Sequence, residues 1–190
     1  MNDGITRDAW EDELKSQRDW NKKHMLCALA YFKTPHDLLD AGCGDGAMVQ
    51  MSRAFGIDAY GIDQLVQPDW PIYFTQHNLV DHFRTSDLRQ FDMVLCIEVA
   101  EHLHESAHAT LCDTLYDNLA PTGILLFSAA HPGQGGMGHV SERSSAYWHK
   151  EFALRGLNYR HDYTTELALL WSHIRSPLYW LAANIMVWEK

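Results

Sequence analysis

Residues 36–63, HDLLDAGCGDGAMVQMSRAFGIDAYGID, decide the fold class of this chain. A short apolar stretch at residues 38–39 predicts a buried strand, and Pro35 keeps its neighbour out of helical geometry. Good helix formers fill residues 47–55, and Gly56 ends that helix. Residues 58–62 predict a second strand. The order of strand, glycine loop, helix and strand indicates an α/β protein.

The loop between the first strand and the helix has the sequence Asp40-Ala41-Gly42-Cys43-Gly44-Asp45-Gly46. Glycines at alternate positions permit tight backbone conformations and leave no side chain between the backbone and a ligand. Asp63 ends the second strand, so its carboxylate is level with the loop and can accept both hydroxyls of a ribose. The segment therefore predicts a site for a nucleoside cofactor.

Two classes of cofactor fit this loop. Residues 42–47 satisfy the dinucleotide pattern G-x-G-x-x-A, with an acidic residue about 20 positions later. The denser pattern Asp40-x-Gly42-x-Gly44-x-Gly46 favours a ligand that carries an ammonium group, since a pyrophosphate would be repelled by Asp40 and Asp45.

The denser pattern resembles the first motif of the class I S-adenosylmethionine-dependent methyltransferases, and a second segment strengthens that resemblance. The apolar run Phe91–Ile97 predicts a central strand. It ends in residues 98–103, EVAEHL, which are similar to the E-V-x-E-H-L segment of many small-molecule members, including the ubiquinone-biosynthesis O-methyltransferases. Residues 119–123 predict the turn that leads into a fifth strand at residues 123–129.

This resemblance implies a Rossmann-like three-layer α/β/α sandwich with a seven-stranded, mostly parallel sheet and an antiparallel last strand. We expect the third strand at residues 72–74 and the last at residues 181–188. Residues 1–190 are expected to form a single methyltransferase domain, with an N-terminal helical cap (1–33), a cofactor-binding core (34–130) and a substrate loop with the C-terminal strands (131–190). In the cap, Trp20 or Tyr31 either covers the cofactor or packs against the sheet.

Composition narrows the expected partners and compartment. The net charge of −10 argues against a nucleic-acid substrate, because such binding depends on neutralising phosphates. The four cysteines are far apart and contain no C-x-x-C pair, which favours a reducing, cytoplasmic location. We expect neither a signal peptide nor a membrane-spanning segment, because the N-terminus is polar and the apolar stretch at residues 178–188 is too short to cross a bilayer. The sequence leaves the oligomeric state open.

The resemblance implies a role for each cofactor-binding position. Asp40, Gly42 and Gly44 would hold the methionine part, and Asp63 the ribose. An acidic residue often holds the adenine in the family, but this chain has Asn78 at that position, and an amide can still accept or donate a hydrogen bond. The full expected set is Asp40, Gly42, Cys43, Gly44, Asp63, Gln64, Asn78, Leu79, Glu98 and Val99.

The end of the fourth strand also offers metal ligands. If the chain becomes helical after Cys96, then Glu98, Glu101 and His102 share one face and can hold a divalent cation. The resemblance implies the same possibility. In the alternative interpretation, Glu98 borders the cofactor, and Glu101 and His102 only cap or orient the helix.

A glycine-rich segment at residues 131–139, HPGQGGMGH, follows the fifth strand and predicts a flexible lid or substrate loop. His131 either takes a proton from a substrate hydroxyl or only fixes the loop. His139 and His102 are the other catalytic candidates. We therefore expect S-adenosylmethionine-dependent methyl transfer to an oxygen of a small molecule. The alternatives are a nicotinamide-dependent oxidoreductase and a non-catalytic S-adenosylmethionine-binding protein.

Overall fold

The computed structural model describes residues 34–65, 72–174 and 179–190, together with residues 8, 9, 12, 15, 23–25, 27–29, 31 and 32. The strands within this part of the chain are β1 (Asp37–Ala41), β2 (Asp58–Asp63), β3 (Phe74–Gln76), β4 (Phe91–Ile97), β5 (Leu119–Ser128), β6 (Asn158–Tyr159) and β7 (Met186–Glu189). The α-helices are α1 (Ala47–Ala54), α2 (His108–Asn118), α3 (Ser145–Leu154), α4 (His161–Ser172) and α5 (Tyr179–Asn184). Two 3₁₀ helices, Ala100–His102 and Glu105–Ala107, lie between β4 and α2, and residues 23–25, 27–29 and 31 are also helical.

The strands form one sheet in the order β3-β2-β1-β4-β5-β7-β6. β1 to β5 run parallel to one another, whereas β7 runs antiparallel to both β5 and β6. Chain order reverses between β1 and β4, and a ligand crevice is expected at the carboxyl ends of the strands at such a point. The predicted seven-stranded α/β sheet with an antiparallel last strand is confirmed.

Side chains alternate between the two faces of the sheet, and each face carries its own helical layer. Leu39, Val94 and Phe127 face a core formed with α2 and α3, where Trp148 is fully buried. Leu38, Leu95 and Leu126 face the opposite core, which is formed with α1, α4, α5 and residues 25, 28 and 29. No helix in the described part of the chain has both the length and the apolar character needed to cross a bilayer.

Three element boundaries differ from the sequence expectation. β3 begins at Phe74, because Phe74 is the side chain that enters the core, whereas Ile72 is 98% exposed. β5 begins at Leu119, and a register shift opposite residues 91–93 accommodates the predicted turn within the strand. Residues 181–184, which were expected to begin the last strand, belong to helix α5, and β7 is confined to Met186–Glu189.

The ring of Phe74 fills the space beside two glycines that are distant in sequence. A Cβ atom added at Gly46 would lie 2.5 Å from Phe74 Cζ, and one added at Gly61 would lie 2.6 Å from the same ring. The absence of side chains at these positions lets β3 and the glycine loop pack directly on β2.

Gly42→Ala should be much more destabilising than Gly56→Ala. Both glycines have left-handed φ, 84° and 82°, so alanine at either position costs about 1–2 kcal/mol. A Cβ at Gly42 would also lie 2.4 Å from Val99 Cγ2, which adds about 1–3 kcal/mol of overpacking. Nothing lies within 4 Å of a Cβ at Gly56. Urea denaturation of both variants measures the difference, and equal losses would contradict the close approach of Val99.

Candidate functional site

The glycine loop connects β1 to α1 and is hydrogen-bonded to the end of β2. Gly42 N and Cys43 N both donate to Ile62 O, at 2.8 and 3.1 Å. Gly44 N donates to Asp63 Oδ2 at 2.9 Å. These bonds fix the height of the loop relative to the carboxyl ends of β1 and β2.

Two buried carboxyl groups flank the loop. Asp63 accepts from Gly44 N and, through Oδ1, from Leu65 N at 2.8 Å. Burial raises the pKa of Asp63, although these backbone N–H groups oppose the rise. Burial, with added repulsion from Asp63 and Asp45, raises the pKa of Asp40 to about 7. Within the described residues, no lysine or arginine forms an ion pair with Asp40 or Asp63, so the loop is electrostatically suited to a cationic group.

A cavity of about 120 Å³ lies beside the loop, next to β2. Eight of the ten cofactor-binding residues predicted from the sequence line it, namely Gly42, Gly44, Asp63, Gln64, Asn78, Leu79, Glu98 and Val99. Asn78 Oδ1 accepts from Val80 N at 3.2 Å, which orients the amide. The cavity has the polar end and apolar wall that a nucleoside requires.

A larger cavity of about 520 Å³ adjoins the same loop and shares Gly42, Gly44, Glu98 and His102 with the smaller one. The other two predicted cofactor residues, Asp40 and Cys43, line this larger cavity. All three histidines proposed as catalytic, His102, His131 and His139, also line it. The loop therefore separates two adjoining spaces, one beside Asp63 and one beside the histidines.

Glu98 does not lie on a helix, so the expectation that it shares a helical face with Glu101 and His102 is wrong. Its φ is 55°, and its N–H donates to Ser128 O and Oγ, both at 3.1 Å. The Glu98 carboxylate accepts from Asn184 Nδ2 at 3.2 Å. Of the three expected metal ligands, Glu101 and His102 belong to the 3₁₀ helix, whereas Glu98 directly follows β4, so helical spacing does not place it beside them.

Glu101, His102 and His139 form a compact group, with one ligand atom from each within 4.8 Å of the others. Glu101 is fully buried, and neither carboxylate oxygen has a hydrogen-bond partner of normal geometry. Burial, followed by repulsion from Glu98, raises the pKa of Glu101 to about 9. Burial also lowers the pKa of His102 to about 4, so this imidazole is neutral at pH 7. The Glu101 Oε1 to His139 Nε2 distance is 3.9 Å.

His131 lies apart from this group, at the carboxyl end of β5. Its Nε2 is buried without a hydrogen-bond partner, and the residue borders both the larger cavity and a second cavity beside α4. The segment that follows is held by hydrogen bonds, as Gly133 N and Gly135 N each donate to Glu142 at 2.7 Å. These hydrogen bonds define the course of the segment that was expected to be a lid or substrate loop.

The structure describes only one of the two residues, Trp20 and Tyr31, that were expected either to cover the cofactor or to pack against the sheet. Tyr31 packs edge-on against Phe32 and Tyr163 of α4, and it lines neither cavity beside the glycine loop. Trp20 lies outside the described residues.

The sequence did not identify three polar residues, Asn184, Gln134 and Glu142, that lie at the larger cavity or behind it. Asn184 Nδ2 donates to Glu98 and also to Gln134 Oε1 at 3.0 Å, which connects α5 to the loop. Glu142 organises the same loop. The glycine spacing indicated that a loop lies here, but no pattern in the sequence identified the side chains that hold it.

Comparison with known proteins identifies the family. A family model described as "Methyltransferase domain" matches residues 13–171. The chain belongs to the methyltransferase domain family. The class I resemblance expected from the glycine loop and the EVAEHL segment is confirmed.

The methyltransferase domain also has individual relatives. The ubiquinone biosynthesis O-methyltransferases of Psychrobacter cryohalolentis and Psychrobacter arcticus are each 30% identical over 103 residues, covering 48% of this chain. The matched part represents only 39% of the length of those relatives.

Two solved structures share the fold. A SAM-dependent methyltransferase from Archaeoglobus fulgidus superposes with a TM-score of 0.67 at 14% identity, covering 95% of this chain and 98% of that one. The 1,6-didemethyltoxoflavin-N1-methyltransferase of Burkholderia thailandensis has a TM-score of 0.69 at 16% identity, with coverages of 96% and 84%.

Asp40→Asn should gain stability relative to the wild type as the pH rises. The folded protein retains the Asp40 proton up to about pH 7, whereas the unfolded chain releases it near its usual pKa of about 4. Stability of the wild type therefore falls across this interval, and a neutral asparagine does not show that fall. We expect the difference in unfolding free energy, variant minus wild type, to grow by about 2 kcal/mol between about pH 5.5 and 8.5. Urea denaturation measures it, and a difference independent of pH would contradict a buried, unpaired Asp40.

Proposed function

We propose that this protein transfers the methyl group of S-adenosylmethionine to an oxygen of a small-molecule acceptor. The observation that carries the proposal is the pair of buried carboxyls, Asp40 and Asp63, on either side of a glycine loop between two adjoining cavities. Asp63 would accept the ribose hydroxyls with its remaining lone pairs. Asp40 would face the ammonium group, and Gln64, Asn78 and Leu79 would contact the adenine.

The acceptor would occupy the cavity of about 520 Å³, whose volume is typical of a small-molecule site. The acceptor oxygen attacks the sulfonium methyl in line, so an O–CH₃ bond forms, the S–CH₃ bond breaks and S-adenosylhomocysteine leaves. Holding the two groups in line supplies most of the rate enhancement. The unpartnered Nε2 of His131 supports this residue as the base that receives the hydroxyl proton. His102 and His139 are then assigned to a different task.

We further propose that Glu101, His102 and His139 hold a divalent cation. The site fits such an ion because Glu101 is buried with two unpartnered oxygens, and two imidazoles lie within reach of the same point. One carboxylate and two histidines favour Mn²⁺, Zn²⁺ or Co²⁺ over Mg²⁺. A bound cation would polarise the acceptor oxygen. The Glu98 carboxylate, beside Glu101, remains a predicted fourth ligand.

The unpaired state of all four cysteines supports the cytoplasmic location predicted from their spacing.

The methyl-donor assignment is tested by calorimetry. S-adenosylmethionine and S-adenosylhomocysteine should bind in the micromolar range, and NAD should not. Asp63→Ala should weaken both by at least about tenfold, or 1.4 kcal/mol, because the ribose loses its acceptor. Asp63→Asn should lose less, and His131→Ala should leave the affinity unchanged while slowing turnover. NAD binding, or normal affinity in Asp63→Ala, would refute the assignment.

The cation assignment has its own measurement. Titration of the purified protein with Mn²⁺ should give one site, and Glu101→Gln should lower its affinity at least about tenfold, since the amide removes the anionic ligand. Glu105→Gln is the matched control, because this exposed carboxylate pairs with Arg143 on the surface. Equal Mn²⁺ affinity in the wild type and Glu101→Gln would rule out the site.

A further inference from the structure

Glu142 accepts three hydrogen bonds from the glycine-rich loop that covers the larger cavity. Its Oε2 accepts from Gly133 N, and its Oε1 accepts from Gly135 N, both at 2.7 Å. The third contact joins Oε1 to Nδ1 of His139 at 2.9 Å. Because both oxygens already accept hydrogen bonds from backbone N–H groups, Glu142 is an ionised carboxylate that acts only as an acceptor.

The contact with Glu142 defines which nitrogen of His139 carries the proton. Because an ionised carboxylate cannot donate, the proton in this bond belongs to Nδ1. Nε2 is then the unprotonated nitrogen, and it lies 3.9 Å from Oε1 of Glu101. A histidine oriented through one nitrogen by a carboxylate presents the other as a metal ligand.

The loop backbone also packs tightly against the imidazole. A Cβ atom added at Gly136 would lie 2.4 Å from Nε2 of His139. Gly138 O contacts Nδ1 of His102 at 3.2 Å, and the two imidazole rings lie edge to face with centroids 4.9 Å apart. One carboxylate therefore controls both the course of the loop and the orientation of His139.

We infer that Glu142 is a positioning residue that fixes His139 in its Nδ1–H tautomer and directs Nε2 to Glu101. Glu142 itself lines neither the cofactor cavity beside Asp63 nor the larger cavity, and it acts through Gly135 and His139, which do line the larger one. Its connection to catalysis rests on the proposed function, in which His139 is a cation ligand. The tautomer itself is a property of the metal-free protein.

The first test is ¹⁵N NMR of histidine-labelled, metal-free protein at about pH 8, with the His139 signal assigned by its loss in His139→Gln. The wild type should show Nδ1 protonated and Nε2 unprotonated. An Nε2–H tautomer in the wild type would overturn the inference whether or not Glu142 variants fold.

The second test compares Glu142→Gln with Glu105→Gln. Glu142→Gln should change the His139 tautomer ratio and lower Mn²⁺ affinity about 10- to 100-fold, with S-adenosylmethionine affinity unchanged. Glu105→Gln should do neither. An unchanged tautomer in folded Glu142→Gln would overturn the inference. A wild type that binds no Mn²⁺ would refute the cation proposal instead, and the tautomer shift would still support the role of Glu142.

Discussion

The parallel pairing of β1 with both β2 and β4 is the constraint on which the site depends. Three parallel strands deliver Asp40, Asp63 and Glu98 to one edge of the sheet, although these residues are far apart in sequence. The hydrogen bonds from the glycine loop to Ile62 O and to Asp63 then fix the loop against β2. Neither cavity could exist if the loop moved away from this edge, because Gly42 and Gly44 line both of them.

The electrostatics of this edge are unfavourable without a ligand. Asp40 and Glu101 are both buried, and the pKa values of about 7 and about 9 reflect the cost of ionising them there. Natural proteins rarely bury carboxyls without partners, and such groups are common at functional sites. Asp40 and Glu101 both line the larger cavity, and two buried carboxyl groups there are consistent with two positive charges. A sulfonium cofactor with its ammonium group would supply one, and a divalent cation the other.

The local part of this architecture could be predicted from the sequence, because the glycine loop, Asp63 and the β4 strand are contiguous patterns with direct physical causes. The predicted starts of the strands at Ile72 and Leu181 were wrong, because apolar character alone does not distinguish a strand from a neighbouring turn or helix. The left-handed Glu98 could not be foreseen, since only tertiary contacts hold a non-glycine residue at that φ. The roles of Asn184 and Glu142 could not be predicted either, because they also depend on tertiary contacts. Asn184 contacts a residue 86 positions away, and no spacing rule connects the two.

The position of Phe74 has a consequence for how this chain can change. Its ring occupies the space that side chains at Gly46 and Gly61 would need. A side chain at either glycine would therefore clash with the ring unless the residue at position 74 were smaller, and a smaller residue at 74 alone leaves a void. Variation at the three positions is coupled. A library that randomises Gly46 while keeping Phe74 would therefore carry this clash in every variant that adds a side chain there.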